Sequence, residues 1–541
     1  MVRWKFAALA CSIYAGSVMA SSRERERFDE DLHIRPLRDG KVASTFSFTT
    51  LLQDASPRDP LSLAYDDESQ HYTLFPLALG QILRTYAITE LHLALNAGKW
   101  RYESWGFPEE PGVGTGAELW AWMGDGASTT IDERWQGLRN ALAGLFCASL
   151  GSMDDQRTTS PFLTFTPEGS LPNATLPYRL RHATLPSEHV CTENLTPFLK
   201  LLPCKSLSGL ARLLNPHRLF DADWHGMSVH VTWREGQGVE VRLIFQTVID
   251  PIRNSGGKRR DWSFESLFGR VVENRCPVAT TSRVRIQLPS EETYAILPDP
   301  TSNADNIATY DTSVGQDPLD VSMRWPEEYA FQYPLDLPEI PLTPLTLQRT
   351  LIGSSQAQGQ LSIVIQNTLS SQIQTIYLET MPWLVQLYIH TLQIHCNGVQ
   401  RISTDDLISN LSYTPSVPHA RPAILQSVLT LPPKSTLRLT FDITKSFLRY
   451  TEHPPDAQRG WDLPPAVFVP IISVGNRSDV LPRLYTPTLL VDLATPDFSM
   501  PYNVIILSCT LMTLIFGSIF NLLTRKFVIV DLKQGKEQKG S

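Results

Sequence analysis

An apolar run from Tyr502 to Leu523, closed by Arg525 and Lys526, constrains this chain more than any other feature. At about 1.5 Å of rise per residue, a helix over that run crosses the roughly 30 Å hydrocarbon core of a bilayer. Its strongly polar members, Asn503 and Asn521, stand near its two ends, and no other stretch between the termini is apolar for long enough to span again. One transmembrane helix over residues 502–523 is expected, with a basic tail over residues 524–541.

The opposite end fits a secreted topology. Arg3 and Lys5 precede an apolar stretch from Phe6 to Val18, and Val18-Met19-Ala20 offers the small residues that signal peptidase accepts. Cleavage after Ala20 leaves residues 21–501 in the secretory lumen or outside the cell. In the tail, Arg525, Lys526, Lys533, Lys536 and Lys539 outnumber Asp531 and Glu537, which favours a cytosolic C-terminus and a type I protein.

A body of this length suggests two domains or more. With 42% hydrophobic and 9% aromatic residues it has ample material for packed cores, and a net charge of -8 gives no electrostatic reason to expect nucleic acid. The densest basic run of the body, Lys258-Arg259-Arg260, follows Gly256-Gly257 and reads as a solvated loop. Glycosylation sequons stand at Asn173, Asn194, Asn410 and Asn476, each a surface position if used. Of seven cysteines, Cys11 lies in the signal and Cys509 in the span. Cys147, Cys191, Cys204, Cys276 and Cys396 remain, an odd set that leaves at least one thiol free or bonded to another molecule.

Period-two alternation marks strands at Val229 to Trp233, Val239 to Phe245, Val284 to Leu288, Leu361 to Ile365, Leu437 to Ile443 and, with one slip, Leu387 to Ile394. Leu91, Leu93 and Leu95 make a further strand ended by a turn at Asn96-Ala97-Gly98. The fold class is mainly β, antiparallel β-sandwich regions with a few helices. The clearest helix has Ile131, Trp135, Leu138, Leu142 and Phe146 on one face, with Thr130 and Glu133 at capping-box spacing and an end near Cys147. Nine prolines between Pro289 and Pro344 mark a connector. The expected layout is a signal over 1–20, an N-terminal lumenal β-rich region over 21–288, the connector over 289–344 and a second β-sandwich region over 345–501.

Catalytic and metal-binding signatures fail one after another. There is no nucleophile elbow, Walker loop, His-Glu-x-x-His or Cys-x-x-Cys, so neither a catalytic residue, a metal nor a cofactor is expected. Gly112, Gly114 and Gly116 lack the strand spacing of a dinucleotide loop and read as a flexible turn. His225-Gly226 matches the His-Gly of caspase-like peptidases, but no cysteine has the accompanying setting, and chance is the preferred reading. Glu109-Glu110 and Asp154-Asp155 read as water-facing pairs. Trp120, Trp122 and Trp135 suit a binding surface, though core packing explains most of them better.

Longer blocks are more telling. Gly116-Ala117-Glu118-Leu119-Trp120, Phe146-Cys147-Ala148-Ser149, Cys191-Thr192-Glu193-Asn194-Leu195-Thr196-Pro197 and Leu201-Leu202-Pro203-Cys204 closely resemble the PIG-T family, a component of the GPI transamidase. So do Ile34-Arg35-Pro36-Leu37, Met381-Pro382-Trp383, Arg483-Leu484-Tyr485-Thr486, the block from Thr495 to Val504, and Asn521-Leu522-Leu523-Thr524-Arg525. The resemblance covers nearly the whole chain. It implies a non-catalytic subunit of an endoplasmic-reticulum complex that replaces the C-terminal signal of a proprotein with a GPI lipid. The catalytic cysteine and histidine then belong to a caspase-like subunit, and in this family the cysteine of Cys-Thr-Glu-Asn-Leu-Thr, here Cys191, is disulfide-bonded to it. Other membrane subunits are implied as well, and Asn521 is the span residue to inspect for contact with them. With Cys191 so engaged, Cys147 with Cys204 and Cys276 with Cys396 are the internal pairs considered, although sequence does not fix pairing.

Two other classes share these features. A lumenal hydrolase with an unrecognised constellation would turn over a peptide alone, and a single-span cell-surface receptor or adhesion ectodomain would be delivered to the surface. The tail has Lys539 without a second lysine in dilysine position, so retention in the endoplasmic reticulum is expected to come through partners.

Overall fold

A computed structural model describes residues 25–67, 70–172, 176–254, 258–289, 293–312, 318–334, 341–400, 406–453, 460–474, 477–495 and 499–526. The expected signal, the sequons at Asn173 and Asn476, Gly256-Gly257 and most of the tail, including Lys533, Lys536 and Lys539, lie outside them.

Residues 1–447 and 460–493 form one compact unit, organised around an eleven-stranded sheet. Its order is Ser302–Ala304, Ile307–Asp311, Thr281–Gln287, Glu26–Pro36, Val42–Gln53, Gly238–Ile249, Trp224–Arg234, Ile88–Ala97, Gly116–Gly124, Tyr178–Leu185 and Thr158–Thr159. All neighbours are antiparallel except Glu26–Pro36 with Thr281–Gln287, which run parallel. A parallel pair needs a long crossover, and the intervening two hundred and more residues supply it. Within the proline-rich stretch the chain does more than connect: Ile307–Asp311 pairs with Thr281–Gln287, and Ser322–Arg324 pairs with Trp262–Ser263.

Alternation decides the two faces. In Ile88–Ala97, Leu91, Leu93 and Leu95 enter a core shared with Trp135, Leu138, Leu142 and Phe146 of the helix Ile131–Phe146. That helix starts on the predicted box, with Glu133 N–H donating to Thr130 Oγ1 at 3.2 Å and Thr130 N–H to Glu133 Oε2 at 2.9 Å. It ends at Cys147 in a left-handed conformation, φ 53°. Glu90, His92 and Asn96 occupy the alternate positions and are buried too, so this strand is covered on both faces.

The cover on the second face comes from the later β region. Leu345–Ile352, Gln358–Asn367, Thr436–Lys445, Val385–Cys396 and Val399–Gln400 make a five-stranded sheet. Ile408–Thr414, Ala423–Leu431, Ile373–Met381, Val467–Val474 and Arg477–Val480 form the path of a second sheet, with Leu484–Tyr485 pairing beside it on Val467–Val474. The slip in the Leu387 to Ile394 pattern is a bulge, where the register with Thr436–Lys445 shifts between Tyr388 and Gln393. Fully buried Arg349 reaches from the five-stranded sheet to fully buried Glu379 of the other. Tyr377 Oη donates to the second oxygen of Glu379 at 3.0 Å, so the buried carboxylate is paired and hydrogen-bonded.

Residues 448–459 and 494–541 form the second unit, which carries the helix Ser499–Thr524. Tyr502–Thr524 is long and apolar enough to cross a membrane, with mean hydropathy 2.0 over its best window. Ser508, Thr510, Thr513 and Thr524 each donate a hydroxyl to the carbonyl four residues earlier, which leaves little polar surface for lipid to solvate.

Candidate functional site

Cys191 opens the helix Thr192–Leu201, and its thiol is free and exposed. Its N–H donates to Asn194 Oδ1 at 2.6 Å, while Asn194 N–H returns a bond to the Cys191 carbonyl at 3.1 Å. The other end of the same carboxamide donates to the carbonyls of Phe146 at 2.8 Å and Cys147 at 3.3 Å. One buried side chain, Asn194 at 1% exposure, thus fastens the start of this helix to the end of the helix Ile131–Phe146. Cys147, also free and exposed, caps that end.

The approach to Cys191 is held from beneath as well. His225 bonds the backbone of Val190, and burial drives its imidazole down to a pKa of about 4, so it is a neutral strut. It is far from a poised general base. Its neighbour Gly226 is a glycine because a Cβ there would collide with Asn96 Oδ1 and the Trp224 ring. Asn96 in turn donates to the carbonyls of Gly112 at 2.7 Å and Gly114 at 2.8 Å, fixing the glycine-rich turn. The His-Gly pair and the glycine loop are therefore two ends of one structural device.

Cys147, Cys191, Cys204, Cys276 and Cys396 sort themselves by place. Cys204 is bonded to Cys276, which replaces both pairings considered from sequence, Cys147 with Cys204 and Cys276 with Cys396. Cys147 instead caps a helix at the surface, and Cys396 is buried at the end of its strand in the later β region. At the sequon residue Asn194 the amide nitrogen, the atom a glycan would occupy, is buried and donates to Phe146 and Cys147. Asn410 is exposed with φ 51° beside a bulge, open to modification.

The face beneath the later β region holds a ladder that sequence reading missed. Arg242, His230, His92, Trp120, His182 and Thr159 are directly paired across successive strands. His92 stacks on Trp120 with centroids 3.8 Å apart, and its Nδ1 lies 2.8 Å from His230 Nδ1. His92 Nε2 faces Glu90 Oε1 at 3.0 Å. His230 is held neutral by burial and by the neighbouring His92, Arg242 and Arg483. Its Nε2 lies 3.4 Å from Glu110 Oε1 without a hydrogen bond. Burial raises Glu110 to about 7, with Arg242 pulling the other way. Among the described residues no group of three or more His, Cys, Asp or Glu is arranged to hold a metal.

Family blocks from the later region close over this ladder. Tyr485 Oη donates to Glu118 Oε2 at 2.7 Å, and Trp383 Nε1 donates to Gln156 Oε1 at 2.9 Å. Gln426 Oε1 accepts from Phe162 and Leu163 N–H, both at 3.1 Å. Trp120 and Trp122 lie on this covered face and Trp135 in the helical core, so none of the three is an open binding surface.

A sequence profile described as Gpi16 subunit, GPI transamidase component, matches residues 11–260 and 253–541. The chain belongs to the Gpi16 family. It is similar to the GPI-anchor transamidase component PIGT of Homo sapiens, 36% identical over 94% of this chain and 92% of that protein. The PIG-T homolog of Schizosaccharomyces pombe is 35% identical over 96% and 93%, and the component GPI16 of Saccharomyces cerevisiae 31% over 93% and 89%. This Gpi16-family chain is thus a GPI transamidase component with one C-terminal helix fit to anchor it in a membrane.

Proposed function

We propose that the chain is the non-catalytic scaffold of the transamidase, a type I protein of the endoplasmic-reticulum membrane that holds a caspase-like catalytic subunit through a disulfide at Cys191. The observation that carries this is the placing of Cys191: an exposed free thiol at the cap of the helix Thr192–Leu201, its backbone held by Asn194 to the end of the helix Ile131–Phe146 and its neighbour Val190 held by His225. The reaction must bring together a soluble protease-like domain, a peptide leaving the bilayer and the amine of a GPI lipid. Orientation entropy is a large part of such a barrier, and a rigid anchored body raises the effective concentration of the catalytic domain at the membrane. The span is free to pack against further membrane subunits, with proprotein and GPI lipid as substrates of the complex. No cofactor, metal or nucleic acid has a part in this reading.

Tagged chain purified in mild detergent should bring the catalytic subunit with it and process a GPI-signal proprotein. The same chain freed of that subunit should process none. Turnover by the chain alone would overturn the non-catalytic assignment.

A further inference from the structure

Glu30 is out of place in its strand. Phe28, Leu32 and Ile34 share its face and lie in the main core, yet at 1% exposure a carboxyl stands in that series with no charged neighbour acting on it among the described residues. Its Oε2 accepts from Leu210 N–H at 3.3 Å and from Ser282 Oγ at 3.0 Å, while Oε1 is buried without a partner. It lies against Gly209, and across Gly209 from the Cys204–Cys276 bond. A Cβ on Gly209 would stand 2.5 Å from each Glu30 oxygen and 2.8 Å from Cys276 Cβ, which puts the carboxyl within about 5.5 Å of that Cβ and explains why residue 209, at φ 71°, has no side chain. A thiol on Cys276, one C–S bond further out, reaches the carboxyl directly or through one water.

The two cysteines differ in access. Cys276 is 3% exposed, whereas Cys204 is only partly buried, in a turn whose Leu207 side chain is exposed. Cys204 is therefore the one an oxidant meets first, and Cys276 must attack from an apolar site that opposes its ionisation. We propose that Glu30 is the proton acceptor for closure of the Cys204–Cys276 disulfide. Cys204 is first held in a mixed disulfide with an oxidised dithiol oxidoreductase of the lumen. The Cys276 thiol then passes its proton to the Glu30 carboxylate as its sulfur attacks Cys204 Sγ. The bond from Cys204 to the oxidoreductase breaks, and the oxidoreductase leaves as a thiolate that carries off the two electrons and takes a proton from water. Burial raises the Glu30 carboxyl to about 7, so at neutral pH it is ionised often enough to accept and basic enough to pull. Leu210 and Ser282 hold it in place, and once the bond is closed the neutral acid is the form its buried site favours. Only the oxidant depends on the lumenal placing of the body, and glutathione disulfide replaces it in the test.

Full chain in mild detergent, reduced with dithiothreitol and desalted, is offered glutathione disulfide between about pH 6 and 9, quenched with acid, alkylated and mapped for the Cys204 and Cys276 peptides. Conversion of the Cys204–glutathione adduct to the Cys204–Cys276 pair should speed up with pH through an inflection near 7. In Glu30→Gln it should be at least about tenfold slower and rise only in the ordinary thiol range above about 8. Glu30→Asp, with the acid drawn back by one carbon, should be slow too but keep an inflection of its own. In concentrated urea, where carboxyl and thiol are no longer held together, the unaltered chain and Glu30→Gln should close at the same rate. Equal rates and pH profiles without urea overturn the proposal, and so does a difference that survives in urea. A thermal melt of oxidised Glu30→Gln reports that the variant folds; should it not fold, Glu30→Asp carries the same comparison.

Discussion

The Arg483 guanidinium lies over the Trp120 ring, 5.3 Å from its centroid, and ties the later β region to the face of the large sheet. It also lies over Phe165 and reaches Glu168 Oε1 at 3.2 Å. Burial alone would raise the neighbouring carboxyls. For Glu118, the His182 hydrogen bond and the Arg483 charge outweigh burial; for Glu168, His92 and Arg483 do so, and both stay below the usual carboxylate range. Glu168 is exposed, so its ion pair with Arg483 is worth only about 0–1 kcal/mol, and the larger loss is the guanidinium packed over the Trp120 and Phe165 rings, about 0.5–2 kcal/mol. Arg483→Ala should therefore lower the melting temperature of the detergent-solubilised chain and open the junction to protease between the two β regions. Arg483→Lys should rescue little, since a lysine point charge cannot reproduce a planar group stacked over two rings.

Glu30 and Glu110 should each make stability fall as pH rises toward 7, against His225 and His230, whose lowered pKa values act in the opposite direction below the ordinary histidine range. Glu30 is raised to about 7, chiefly by burial against the hydrogen bonds from Leu210 and Ser282, and burial likewise raises Glu110 to about 7. A carboxyl whose folded pKa is raised holds its proton longer than the unfolded chain does. Its stabilising contribution is complete below the unfolded value and is lost as pH climbs through the folded one. In thermal melts between about pH 5 and 8, Glu30→Gln should remove its share of the decline. An unchanged slope in that variant would remove Glu30 from the account.

The Cys204–Cys276 bond encloses a loop with a sequence separation of 72. Chain-entropy arguments assign a crosslink of that size about 4 kcal/mol. Cys276→Ser should destabilise the body by an amount of this order in denaturant titration, while the heterodimer band on a non-reducing gel persists in whatever fraction folds.

Much of this was legible in the sequence, and the limits are physical. Period-two alternation located the strands, including the bulge at Tyr388 to Gln393, because one face of each strand is apolar. The box at Thr130 and Glu133 located a helix because its bonds are local. The ladder from Arg242 to Thr159 was invisible, since it assembles six strands that only the fold brings together and its polar residues imitate a solvent face. The blocks Met381-Pro382-Trp383 and Arg483-Leu484-Tyr485-Thr486 stood out by resemblance, but their contacts, Gln156 and Glu118, lie far away in the chain. Disulfide pairing failed for the same reason.

Packing at Asn194 opposes the use of its sequon. Its carboxamide is spent on two helix ends, so a glycan is predicted at Asn410 and not at Asn194. An Asn194→Gln variant would confuse the two roles by releasing those helix ends. Thr196→Ala removes the sequon while leaving Asn194 in place, and it should leave gel mobility unchanged; Ser412→Ala should increase mobility as glycosidase treatment does. A shift with Thr196→Ala would show that Asn194 is modified and those helix ends released.

The central claim is that Cys191 links this chain to the catalytic subunit. Cys191→Ser, co-expressed with that subunit and run on a non-reducing gel after thiol blocking, tests it most directly. The reducible heterodimer band should vanish, with transamidation reduced and not abolished, because noncovalent contact survives loss of a crosslink. Persistence of the band in Cys191→Ser, together with its loss in Cys147→Ser, would contradict the account and move the link to the other side of Asn194.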